Sequence, residues 1–219
     1  MVPLQLSWGV RRHGQNARGL NVIQRVRQVP HRRPPRTLFL LHVVLRDVKP
    51  RIWRRLAVAG ALSLHQLHIV LQIVMGWDYK HLYSFTVGDR EYEDPQGDDR
   101  DSASPDPRKT QLDSLALQQG STFLYTYDFG DDWGHDIVVE GIAPLHRFAA
   151  AVTLLGGERA CPPEDCGGPH GYLELLEVLR DPKAPGARAR LDWMGQFDPD
   201  ELDLRRIARR LGPPRGRAV

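Results

Sequence analysis

The sequence is poor in cysteine and has no long hydrophobic run. Two cysteines in 219 residues cannot build a disulfide framework, so a reducing compartment, the cytoplasm, is expected. No apolar stretch approaches the roughly 20 residues that a membrane-spanning helix requires, and the first residues lack the apolar region of a signal peptide. The sequence therefore argues against a disulfide-stapled scaffold and against a membrane partner.

Common catalytic signatures are also missing. The chain has no Walker phosphate loop, no dinucleotide fingerprint and no serine nucleophile elbow. Asp128-Phe129-Gly130 matches a metal-binding tripeptide of protein kinases, but the glycine-rich loop and the catalytic loop are absent. An EF-hand that starts at Asp128 fails, because Trp133 and Val139 stand where the glycine and the glutamate belong. No common catalytic motif therefore assigns an activity to this sequence.

Acidic residues are absent from both ends of the chain. Residues 1–36 carry eight arginines and residues 204–219 carry six, while the segment between them holds 16 basic and 27 acidic residues. Arginine-rich arms can neutralise nucleic-acid phosphates and give weak, non-specific, salt-dependent binding. The alternative is that the arginines reflect a GC-rich genome or a start codon placed too far upstream. The nucleic-acid candidates are Arg11, Arg12, Arg32, Arg33 and Arg36.

The domain organisation follows from the same composition. Residues 1–36 lack sustained periodicity and are predicted to be a disordered basic tail. Residues 37–211 hold the periodic segments and form the predicted domain. Residues 212–219 form a second basic tail, so the protein is predicted to be an acidic body with basic ends.

Hydrophobic periodicity predicts an α+β fold around a mostly antiparallel sheet. An opening hairpin over 37–46 and 51–58 leads into a helix that Ser63 and Gln66 cap and that ends at Gly76. This hairpin-helix opening is similar to a β-grasp by analogy. Strands are predicted over 81–87, 90–93, 122–129 and 137–142, and helices over 172–180, 187–194 and 204–211. Residues 148–155 are ambiguous.

A dense polar string, YDFGDDWGHDIVVE, occupies residues 127–140. Its carboxylates and histidine can bind a divalent metal or a cationic ligand, with tryptophan as an apolar wall. The alternative is a tight hairpin in which aspartates cap backbone amides and the tryptophan packs on the sheet. The ligand-binding candidates in this string are Asp128, Asp131, Asp132, Trp133 and His135.

A second string, CPPEDCGGPH, occupies residues 161–170. Cys161 and Cys166 are spaced as in a zinc knuckle, and a complete zinc site would need His135 and His170 as further ligands. The alternative is a rigid loop in which the thiols are small buried hydrophobes. Glu164 and Asp165 are added to the ligand-binding candidates. Zinc or another divalent metal is thus one possible cofactor, and none is specified by the sequence.

The two strings are predicted to meet in the folded protein. Both are rich in glycine or proline and flanked by apolar elements, and such loops gather at one end of a rigid sheet. Trp133 or His135 is expected to contact the loop over 161–168. The contact would form a shallow pocket lined by acids.

Five ordered strings carry a family resemblance: VKPRIWRRL, LHQLHIVLQIVMGW, HLYSF, YDFGDDWGH and CPPEDCGGPHGY. Together they resemble the plasmid ORF-three-like family, named after an open reading frame of a root-inducing plasmid, over residues 38–211. The resemblance implies a similar α+β fold and an association with plasmids or insertion sequences, whose passenger proteins carry a resolvase label. A serine recombinase needs a nucleophilic serine among arginines, and the acidic body contains no such constellation.

Three hypotheses about function follow. The first is a cytoplasmic accessory protein that binds a partner or small ligand at the face bearing the two strings. The second is a metal-dependent hydrolase of phosphodiesters, with Asp128, Asp131, Asp132 and His135 joined by Glu164, Asp165 or the cysteines. The third is a protein tethered to DNA by its arginine-rich tails.

Overall fold

The computed structural model describes residues 37–93, 104–145 and 150–212. The predicted N-terminal tail, with Arg11, Arg12, Arg32, Arg33 and Arg36, lies outside the described residues. Residues 213–219 lie outside them as well. Nucleic-acid binding through these tails therefore stays a prediction.

A single sheet of seven strands organises the described part of the chain, and every neighbouring pair is antiparallel. Across the sheet the strands follow the order β4-β3-β5-β6-β1-β2-β7. The strands are β1 (Thr37–Leu45), β2 (Trp53–Ala59), β3 (Tyr83–Val87), β4 (Arg90–Glu93), β5 (Thr122–Tyr127), β6 (Trp133–Pro144) and β7 (Val152–Glu158). The predicted α+β fold with a mostly antiparallel sheet is confirmed.

The α-helices of the described residues are α1 (Leu64–Met75), α2 (Gly168–Arg180), α3 (Ala187–Met194) and α4 (Leu204–Leu211). At the start of α1 the Ser63 Oγ accepts from the Gln66 N–H at 3.2 Å, and the Gln66 Oε1 accepts from the Ser63 N–H at 2.9 Å. Gly76 ends α1 with a left-handed φ of 103°, so both predicted ends are confirmed. Among the described residues no helix has the length and apolarity that crossing a membrane needs.

The core forms where α1 packs on one face of the sheet. Alternate side chains of β1, from Phe39 to Leu45, are buried, because successive residues of a strand point to opposite faces. They share one hydrophobic cluster with Leu64, Leu67 and Leu71 of α1. Burying each such side chain stabilises the fold by about 2 kcal/mol. This packing makes α1 and the sheet a rigid support for the loops that follow them.

Strand β6 is longer than the pattern predicted. It begins at Trp133 rather than near residue 137, because Trp133, Gly134 and His135 pair with Tyr127, Thr126 and Tyr125 of β5. The ambiguous segment forms β7, which pairs with β2. The turn between β5 and β6 is therefore confined to residues 128–132.

A buried arginine ties the end of α1 to the chain just before the second string. The Arg54 guanidinium donates to the carbonyl oxygens of Val74 at 2.7 Å, Glu158 at 2.8 Å and Arg159 at 2.9 Å. Burial lowers the pKa of Arg54, but a guanidinium keeps its charge in a protein. The partial negative charge at the C-terminus of α1 helps to offset the cost of burying that charge.

Candidate functional site

The first string folds as a tight turn between β5 and β6. The Asp128 Oδ1 accepts from the Gly130 N–H at 3.0 Å and from the Asp131 N–H at 3.4 Å. Asp128 and Asp132 both adopt left-handed φ angles, of 57° and 53°. An aspartate does cap backbone amides here, while the second carboxylate oxygen of Asp128 faces away from the turn's own amides towards His81, 3.6 Å from its Nδ1.

Trp133 and His135 lie in the core. They are 1% and 0% exposed, because they share the inward-facing register of β6 with Ile137 and Val139. The His135 ring contacts Trp77 edge-on at 5.3 Å between centroids, and burial lowers its pKa to about 4. The alternation of apolar residues along β6 indicates that both side chains point inward. It can be recognised only once the strand is known to start at Trp133.

The second string is clamped onto the segment that follows α1. The Trp77 indole N–H donates to the Pro162 carbonyl at 2.9 Å. The Glu164 Oε1 accepts from the Asp78 N–H at 2.9 Å and from the Tyr127 hydroxyl at 2.8 Å. Glu164 therefore links three segments of the chain, and it fixes the position of its neighbour Asp165.

The two strings meet through their backbones and through aspartates. The Gly167 N–H donates to the Asp131 Oδ2 at 3.3 Å. Gly168 packs so tightly on the turn that an added Cβ would lie 2.4 Å from the Asp131 carbonyl oxygen, and its φ is 67°. We call this contact between residues 128–132 and 161–168, together with His81, the motif junction.

His81 lies between the two strings and was absent from the sequence-based candidates. Its Nδ1 is 3.6 Å from the Asp128 Oδ2, and its Nε2 is 3.2 Å from the Asp165 Oδ1. One donor atom from each of these three residues lies within 4.8 Å of the other two. The two loops do meet, through Asp128, Asp131 and Asp165 with His81 between them. Trp133 and His135, the residues named in the prediction, lie in the core.

In the part of the chain that the structure describes, the four residues considered as zinc ligands do not form a metal-sized group of donors. Cys161 is buried with its Sγ 3.3 Å from the Met75 Sδ, and burial raises its pKa to about 12. Cys166 is partly buried, His135 lies in the core, and the exposed His170 faces Glu174 on α2 at 3.2 Å. Among the described residues, the metal-sized group of three donors is instead His81, Asp128 and Asp165.

A cleft of about 560 Å³ opens beside the motif junction. Glu164, Asp165 and Lys80 line it on the junction side, and Arg206 and Arg210 of α4 line it on another side. Its apolar lining consists of Ile73, Met75, Trp77, Phe197, Leu202 and Ile207, among others. Volumes of this size are typical of small-molecule sites.

Comparison with known proteins places these features in a family. A protein from Sinorhizobium fredii, "Uncharacterized protein y4hQ", is 39% identical over 161 residues, which cover 73% of this chain and 82% of that relative. A crystal structure of a protein of unknown function, MM3350 from Methanosarcina mazei Go1, is similar with a TM-score of 0.72 and 30% identity. The match covers 79% of this chain and 98% of that one.

The family model described as "Plasmid pRiA4b ORF-3-like protein" matches residues 37–206, from β1 into α4. This span includes both polar strings, His81 and most of the cleft. The resemblance indicated by the five strings is confirmed: the chain belongs to the plasmid pRiA4b ORF-3-like family.

Proposed function

We propose that the chain is a cytoplasmic accessory protein, associated with plasmids or mobile elements, that binds a small ligand or a partner segment at the motif junction and its cleft. The observation that supports this most is the assembly of two distant strings into one junction beside a cavity of about 560 Å³. Loops held this firmly by a rigid scaffold commonly carry binding groups.

The charges of the cleft favour a ligand that carries both signs. Lys80, Arg206 and Arg210 contribute positive charge to the lining, while Glu164 and Glu201 contribute negative charge. The exposed arginines of α4 can bind a carboxylate, because guanidinium groups match carboxylate geometry. The acidic side can bind an ammonium group, so an amino acid or a short peptide segment fits this lining.

Ligand-observed NMR on the full chain, treated with EDTA, tests this proposal with free amino acids and dipeptides as probes. We expect a probe to bind, and Arg206→Ala to weaken it about tenfold, since a charged hydrogen bond contributes about 1.5 kcal/mol. Arg205→Ala is the matched control, because Arg205 is exposed on the same helix and does not line the cleft. Failure of every probe, or equal effects of both variants, would contradict the proposal.

A metal-dependent hydrolase of phosphodiesters is the second candidate function. The observation that favours it is the grouping of an imidazole and two carboxylates at the junction, since a bound ion can activate water. Mn²⁺-loaded chain should then hydrolyse bis(p-nitrophenyl) phosphate, and Asp128→Asn should abolish the reaction. A loaded chain without turnover of this ester would count against a hydrolase.

A further inference from the structure

We infer that His81, Asp128 and Asp165 form a binding site for a divalent first-row transition ion. Three separate segments deliver these residues: the approach to β3, the turn after β5 and the loop before α2. Their donor atoms lie within 4.8 Å of one another. Ligands about 2.0–2.2 Å from a common ion lie about 3–4 Å apart. Asp128 faces Nδ1 and Asp165 faces Nε2, so binding requires the imidazole or a carboxylate to rotate until all three donors reach one ion.

The Asp128 carboxylate is already oriented for coordination. Its Oδ1 accepts from two backbone N–H groups of the turn, at 3.0 Å and 3.4 Å, which leaves its Oδ2 facing His81. Hydrogen bonds of this kind orient metal ligands and tune their affinity. The Asp128 N–H donates to the Leu82 carbonyl at 2.8 Å, so the turn is also fixed to the residue that follows His81.

The two loops that carry the aspartates are held in place. Asp128 and Asp165 adopt left-handed φ angles of 57° and 59°, a conformation that aspartate tolerates better than most residues other than glycine. The Gly167–Asp131 hydrogen bond and the Glu164 contacts hold the two loops in this arrangement. The fold thus holds two aspartates on either side of one imidazole.

One ring nitrogen of His81 lacks a hydrogen-bond partner in the described ranges of the chain, and a bound ion would occupy it. The His81 Nε2 is shielded from solvent and makes no hydrogen bond within the described residues, although the Asp165 carboxylate lies 3.2 Å away. A single histidinium would balance only one of the two carboxylates. A divalent ion would balance both and bind one imidazole nitrogen.

The donor set indicates the class of ion. One imidazole nitrogen with two carboxylate oxygens suits Mn²⁺ or Zn²⁺, whereas Mg²⁺ and Ca²⁺ prefer oxygen ligands alone. The Asp165 side chain is 63% exposed and that of Asp128 only 12%. The site is therefore open on the Asp165 side, where Asp165 also lines the cleft. Three protein ligands with a solvent-facing side leave room for water or another ligand on the ion.

Isothermal titration calorimetry of the full, EDTA-treated chain with MnCl₂ and with ZnCl₂ tests the inference. We expect a single binding site. The affinity should fall about tenfold or more in His81→Gln and in Asp128→Asn, because losing even an outer hydrogen-bond partner of a metal ligand costs about that much. Asp165→Asn is an exposed variant that keeps the test informative if another variant fails to fold. Circular dichroism in EDTA checks that each variant is folded.

His170→Gln is the matched control, since His170 is exposed and outside the group. Unchanged affinity in the folded His81 and Asp165 variants, or a loss in His170→Gln comparable to theirs, would overturn the inference. Absence of saturable Mn²⁺ and Zn²⁺ binding would overturn it too. The result is independent of the proposed amino-acid binding, because that binding is measured in the cleft of the EDTA-treated chain. The hydrolase candidate rests on this metal site and would be lost with it.

Discussion

Histidines occupy two contrasting regions of this molecule, the core beneath α1 and the motif junction. In the core, the His68 Nδ1 is 2.8 Å from the Tyr125 hydroxyl, and the ring stacks on Tyr83 at 3.8 Å between centroids. At the junction, His81 has carboxylates on two sides and is partly exposed. The core provides neutral partners and excludes water, whereas the junction provides negative charge and access to solvent.

The difference shows what each region can do. Burial lowers the pKa of His68 to about 3 and that of His135 to about 4, so both rings are neutral at physiological pH and serve packing. His81, facing Asp128 and Asp165, is available to bind a cation. The same residue type is therefore architectural in one region and a candidate ligand in the other. Four experiments test the difference between the two regions.

The largest expected effect is a loss of stability when the pH is lowered, because two buried histidines must then take up protons. The pKa values of His68 and His135 are lower in the folded than in the unfolded chain, so the unfolded chain takes up protons first as pH falls below 6.5. The free energy of unfolding should drop by roughly 3 kcal/mol for each histidine between pH 7 and pH 4. Urea denaturation across this range measures the drop, and His68→Gln should reduce its slope. An identical slope in His68→Gln would contradict the assignment.

The motif junction should depend on a glycine. Gly168→Ala places a Cβ 2.4 Å from the Asp131 carbonyl oxygen at a φ of 67°, so the loops must separate, at a cost of about 3 kcal/mol. Gly186→Ala is the control, because its φ of 82° is equally left-handed but nothing lies within 4 Å. The control should cost about 1 kcal/mol. Equal losses of thermal stability in the two variants would show that the loops do not pack tightly.

The Tyr127 hydroxyl should stabilise the junction by a smaller amount. It donates to the Glu164 Oε1 at 2.8 Å and accepts from the Lys80 N–H at 3.1 Å. Tyr127→Phe should lower the free energy of unfolding by about 2 kcal/mol. Tyr92→Phe is the control, because Tyr92 is buried and no hydrogen bond of its hydroxyl is seen in the described residues. Equal losses of unfolding free energy in the two variants would show that the hydrogen bond between Tyr127 and Glu164 does not stabilise the motif junction.

The exposed His170 should contribute least. It faces Glu174 one helical turn away at 3.2 Å on α2. His170→Gln should change the free energy of unfolding by less than about 0.5 kcal/mol, as for other exposed ion pairs on helices. Urea denaturation at pH 6 measures it. A loss above about 1 kcal/mol would show that His170 has a structural role that its exposure does not explain.

Local pattern predicted much of the fold. The hairpin of β1 and β2 and the two ends of α1 follow from periodicity and capping residues. So does the inward face of β2 with Arg54, Leu56 and Val58. The start of β6 did not, because Asp132-Trp133-Gly134 has turn composition and only pairing with β5 extends the strand. Tertiary pairing outweighed local preference there.

The site was predictable only in part. The sequence identified both polar strings, and it indicated Asp128 and Asp165 because carboxylates are dense in them. It missed His81, whose role depends on two loops that are distant in sequence and converge only in the folded chain. It also counted His135 among the ligand candidates, although the ring is buried in the core, because the inward register of β6 depends on where that strand begins.

Anomalous diffraction from crystals of the full chain soaked in MnCl₂ tests most directly whether the two strings and His81 build one site. We expect a peak about 2 Å from a ring nitrogen of His81 and from carboxylate oxygens of Asp128 and Asp165. A peak between Cys161 and Cys166, or no peak at the motif junction in crystals soaked to saturation, would contradict it.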